Sequence, residues 1–109
     1  MLLNDVQFIE ASRVLAEDLL IKHPSGLEPR ISEAFRRLSS RQPSQREMGV
    51  LLKLFQEQHD YYQARPKEAE ALLSQGDRPR NKDLRPEELA ATTLLVSSLM
   101  NHDEFSNKR

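Results

Sequence analysis

Cysteine is absent from this 109-residue chain. That removes disulfides, thiolate nucleophiles and thiolate metal sites together. Three His and the carboxylates are left as the only conceivable metal ligands. Glycine occurs three times, too rarely for a glycine-rich phosphate cradle. No nucleophile elbow is present, and no serine has a base partner. Aromatic residues make up 6% of the chain and form no base-stacking set. No apolar run approaches the roughly 20 residues that a membrane-spanning helix needs. Met1-Leu2-Leu3 lacks the charged and apolar regions of a signal peptide. The formal net charge of −1 gives no global pull toward nucleic acid or an anionic membrane.

What is present is helical punctuation. The length suits one domain spanning 1–109, able to bury roughly 60–65% of its unfolded surface. Hydrophobic content is 38% and charged content 30%, which fits a small helical body or a fragment that leans on another domain. Ile31, Ala34, Phe35 and Leu38 recur at the spacing of one helix face, as do Met48, Leu51, Leu52, Phe55 and His59. Between the two runs, Ser44 followed by Glu47 forms a capping box. The segment therefore encodes an αα-hairpin.

The remaining helices follow from the same signals. Asn4 and Gln7 open a first helix whose stripe is Phe8, Ser12, Leu15 and Leu19, widened by Ile9, Ala16 and Leu20. His23-Pro24 and Gly26 stop it. Pro29 can start the second helix, Arg65-Pro66 ends or kinks the third, and a short fourth presents Ala69, Leu72 and Leu73. The stretch 77–85 carries six charges in nine residues and reads as an exposed loop. Pro86, Glu87 and Glu88 open the last helix, with acidic groups at its positive end. Its wealth of small and apolar residues marks it as the central one. The pattern predicts helices near 5–22, 29–39, 45–63, 67–75 and 86–102, and no strand. The predicted core is Phe8, Ile9, Leu15, Leu19, Ile31, Phe35, Leu38, Leu51, Leu52, Phe55, Leu89, Val96 and Leu99.

Candidate chemistry competes with plainer readings. His59 has Phe55 and Gln63 one turn to either side, so the second ligand of a paired-His metal site is missing. His102, Asp103 and Glu104 are consecutive and do not share a helix face. His23 has no evident partner. Glu68, Glu70, Glu87 and Glu88 sit in first helical turns, where carboxylates complement the dipole. No cofactor or metal is expected. Arg30, Arg36, Arg37, Arg41 and Arg46 fall within seventeen residues that contain one acid, Glu33. Such a hairpin could face a phosphate backbone, although Glu57 and Asp60 on the next helix oppose that. Arginines paired with a neighbouring helix are the plainer account.

Three blocks carry a family resemblance. NDVQFIEASRVLAEDLL, RISEAFRRLSSRQPSQREMGVLLKLFQEQ and PEELAATTLLVSSLMNHDEF resemble the C-terminal planctomycete-specific domain of large exported proteins that carry a cytochrome-c-like domain upstream. The matching residues are Asn4, Asp5, Gln7, Phe8, Arg30, Ala34, Phe35, Arg36, Arg41, Pro43, Glu47, Leu89, Ala90, Asn101, Asp103 and Glu104. Val6, Thr92 and His102 depart from that pattern, where proline, tryptophan and leucine are common. The resemblance implies no activity and no catalytic residue. It implies a C-terminal piece of a longer protein, exported or periplasmic as part of that parent. Any haem would belong upstream, since this chain has no Cys-x-x-Cys-His motif.

The expectation is an all-α compact bundle of about five helices around an αα-hairpin, non-catalytic, docking against upstream domains of its own parent. Leu2, Leu3, Phe105, Arg36, Arg37 and Arg41 are the candidate interaction residues. The alternative is a nucleic-acid-binding domain using the Arg30–Arg46 hairpin. No membrane span and no small-molecule substrate are expected.

Overall fold

Ser44 starts the longest helix as its local chemistry requires. Its hydroxyl accepts from the Glu47 N–H at 3.1 Å, and the Glu47 carboxylate accepts from the Ser44 N–H at 2.8 Å. Two amides that the helix cannot satisfy are thereby paired. Ser44→Ala is expected to cost about 0.5–2 kcal/mol, read as a lowered thermal midpoint. An unchanged midpoint would contradict the cap.

A computed structural model describes residues 5–75 and 81–101 of the chain, with side chains from 9–75 and 81–100. Five helices follow one another: α1 Asp5–Lys22, α2 Leu27–Ser39, α3 Gln45–Ala64, α4 Pro66–Leu73 and α5 Pro86–Asn101. No strand occurs among the described residues. The fold is an all-α bundle.

Boundaries differ from the sequence pattern for physical reasons. α2 begins at Leu27, two residues before Pro29. The first amides of a helix have no intrahelical partner, so proline is tolerated within the first turn. Gly26 caps it without a side-chain bond, and a Cβ there would meet Pro29 Cγ at 3.2 Å. Ser40 closes α2 in the left-handed region, at φ 64°, with its N–H donating to the Arg36 carbonyl at 2.8 Å. α3 and α4 meet at Arg65, which is held outside the α region before Pro66.

α5 packs against all four other helices. Leu89, Ala90, Ala91, Thr92, Thr93, Leu95, Val96 and Leu99 are buried along it. The small side chains allow α1 and α3 to approach closely, which makes this helix central. Leu19, Ile31, Phe35, Leu51, Phe55, Leu89, Val96 and Leu99 lie in the core as expected. Ile9, Leu15, Leu38 and Leu52 are only partly buried; Leu15, Leu38 and Leu52 pack against the core from its margin, and on α1 the buried face is centred on Ser12, Ala16, Leu19 and Leu20. The side chain of Phe8 lies outside those described. Ala16, Leu20, Ala34, Ala69, Leu73, Ala90, Ala91 and Leu95 complete the core.

Gly49 lies inside α3 on its exposed side, and a Cβ there would meet nothing within 4 Å. Gly49→Ala is expected to stabilise the fold by about 0.5–1 kcal/mol by restricting the unfolded chain and favouring the helix. Urea unfolding measures this, and a lowered midpoint would count against it.

Candidate functional site

The five arginines of the α2–α3 hairpin are the densest cluster of candidate functional groups, and the fold separates them. Arg30 is 2% exposed. Its Nε and Nη2 donate to the His23 carbonyl at 3.1 and 2.9 Å, and Nη2 also reaches the Pro24 carbonyl at 3.1 Å. Those carbonyls lie just beyond the last residue of α1, at the negative end of its dipole. The guanidinium also sits 5.7 Å from the centre of the Phe55 ring. Burial pushes the Arg30 pKa down, opposed by Glu88, whose carboxylate lies 4.0 Å away. Arg30 therefore caps α1 from within the core.

Arg37 bridges two helices. Its Nη2 meets Asp18 Oδ2 of α1 at 2.8 Å and Glu33 Oε2 at 2.5 Å. Glu33 Oε1 lies 2.6 Å from His23 Nε2, so His23 has a partner that local sequence did not reveal. The hydrogen bond from Arg37 holds the Asp18 carboxyl below its ordinary range. His23 first, and then Arg37, does the same for Glu33. The network ties the end of α1 to α2.

Arg41 closes the hairpin. Nη1 and Nη2 grip both Glu47 oxygens at 2.9 Å, and the guanidinium lies 4.8 Å from the centre of the Phe35 ring. Arg41, assisted by the Ser44 amide, pulls the Glu47 pKa from 4.5 to about 2. Because the folded value is depressed, this stabilisation is full above about pH 4.5 and is lost as pH falls toward about 2. The thermal midpoint should fall through that window, and less steeply in Arg41→Ala. Parallel acid profiles would refute the coupling.

Arg36 and Arg46 are exposed and form no ion pair among the described residues. Of the five arginines, one is buried and two are neutralised by carboxylates. The hairpin does not present them as one phosphate-facing row.

The other candidates are structural in their contacts. His59 stacks on Phe55 with ring centres 5.8 Å apart. Tyr61 is exposed and bonds through its hydroxyl to Glu68, with Arg65 stacked 4.2 Å from its ring centre. Tyr62 is half-buried and meets Tyr61 edge-on. Glu17 Oε2 accepts from Arg13 Nη1 at 2.7 Å and from the Asn81 N–H at 2.8 Å. Residues 81–85, expected to be open loop, thus form a turn pinned to α1. Beside it lies a cleft of about 190 Å³ lined by Leu20, Pro24, Asp83, Leu84, Arg85 and Glu88. Among the described residues no three His, Asp or Glu converge as a metal site. No described helix is long and apolar enough to cross a membrane.

Leu2, Leu3, Phe105 and His102 lie outside the described residues. The exposed apolar side chains within them are Ile21, Val50 and Tyr61, at 59%, 50% and 39%. Sequence reasoning missed Ile21 and Val50; the available signal was that both fall off the apolar stripe of their helices. No family model, curated protein or solved structure matches the chain.

Proposed function

We propose that this chain is a non-catalytic helical module whose partner is another segment of a larger exported parent protein. The observation that carries this reading is the internal use of the groups that chemistry would need. Arg30, Arg37, Arg41, His23 and Glu33 are all engaged in joining α1, α2 and α3. Exposed Ile21 is left outside the core as contact surface. The resemblance to a C-terminal planctomycete-specific domain supplies the parent, and with it the exported or periplasmic location.

Co-expression with the upstream segment of the parent in trans tests the proposal, and co-purification of the two pieces is expected. Failure to co-purify from a folded sample would remove the docking role. Retention on DNA that falls steeply with salt would instead favour the nucleic-acid reading.

A further inference from the structure

The outward face of α3 carries exposed side chains, of which Tyr61 is tied to its own chain, through Glu68 and Arg65. Helical spacing places Arg46, Val50, Lys53, Glu57 and Tyr61 together there, and all are exposed. Val50 and Tyr61 are two large apolar or aromatic side chains that stay in solvent. Several charges on and around α1 and α2 are drawn into pairs, as in Arg13 with Glu17, Arg37 with Asp18 and Arg41 with Glu47. Lys53 and Glu57 stand one turn apart yet make no ion pair among the described residues. The face is also polarised: Arg46 and Lys53 lie in its first half, Glu57 and Asp60 in its second.

We propose that α3 pairs antiparallel with α3 of a second copy of this chain, across a two-fold axis at the level of Phe55. A two-fold contact is self-complementary, so each pairing occurs twice. With the axis at Phe55, Lys53 stands level with Glu57 of the second copy, and Val50 lies within one residue, about 1.5 Å along the axis, of Tyr61 of the second copy. A parallel arrangement would instead set like charges side by side. Gly49, beside Val50, has no Cβ to hold the second backbone away. The proposal does not rest on the docking function, because it uses different residues and a different partner.

One helix pair buries less than the roughly 1,200 Å² of a stable specific interface. Association on the order of 0.1–1 mM is therefore expected, weakening with salt.

Sedimentation equilibrium of the full 12.6 kDa chain from micromolar to millimolar concentration should show mass rising toward twice the monomer. Lys53→Glu and Glu57→Lys each place like charges at both contacts and should weaken association by at least about tenfold. Circular dichroism should show both variants folded, since both positions are exposed. An equimolar mixture of the two variants should associate again, because every contact then joins an acidic to a basic side chain. A chain that stays monomeric at millimolar concentration would overturn the proposal. So would single variants that associate like the parent chain, which would assign the contact to another face, or a mixture that fails to regain association.

Discussion

Phe35→Ala is expected to lose about 3–5 kcal/mol of folding stability. The ring is fully buried in the core that Ile31, Ala34, Leu51 and Phe55 share. Its removal leaves a cavity that rigid helices cannot close, so transfer and cavity terms add. A second loss follows at the surface, where Arg41 stacks on the same ring while gripping Glu47. A domain of this size holds only about 5–15 kcal/mol, so the variant should be largely unfolded well below the parent midpoint. Urea titration followed by circular dichroism measures it. A loss under about 1 kcal/mol would mean that the ring is not enclosed, since full enclosure calls for several times that.

Arg30→Ala should follow at about 2–3 kcal/mol, from charged hydrogen bonds to main-chain carbonyls. Three donor contacts to His23 and Pro24 disappear together, and the end of α1 loses its positive cap. Arg30→Lys should recover only part of this, because one ammonium cannot reproduce the planar fork that reaches both carbonyls. The same denaturation series measures both variants. If Arg30 served an external phosphate, Arg30→Ala would leave stability intact and change only binding.

The difference between these two residues shows which parts of the molecule were legible in advance. Phe35 was readable because Ile31, Ala34, Phe35 and Leu38 repeat at helical spacing. The inward side of such a stripe is fixed by its own helix. Leu38, Leu15 and Leu52 are the limit of that logic. They belong to the right faces, yet each keeps part of its surface in solvent, because coverage at the margin of a core depends on where the next helix crosses. Arg30 was readable as one of a group of hairpin arginines expected to pair with a neighbouring helix, without its partners. Its acceptors lie six and seven residues back, across the turn that precedes α2, and its other neighbours, Phe55 and Glu88, lie far along the chain. The pinning of residues 81–85 to Glu17 was invisible for the same reason, since Asn81 and Glu17 are 64 positions apart.

By itself, then, the sequence determined the helices, their order, the capping box that opens α3 and the choice of α5 as the centre. Those outcomes depend on interactions between residues three or four apart, on prolines at first turns and on the concentration of small apolar residues in one segment. The tertiary structure alone decided the fate of the charges whose partners lie more than one helical turn away. It placed Arg30 inside the core, gave His23 a carboxylate and tied Arg37 and Arg41 to acidic neighbours. It left Lys53 and Glu57 facing solvent. Electrostatic partnership depends on distance through space and on the loss of water around each group, and both are fixed only when the helices pack.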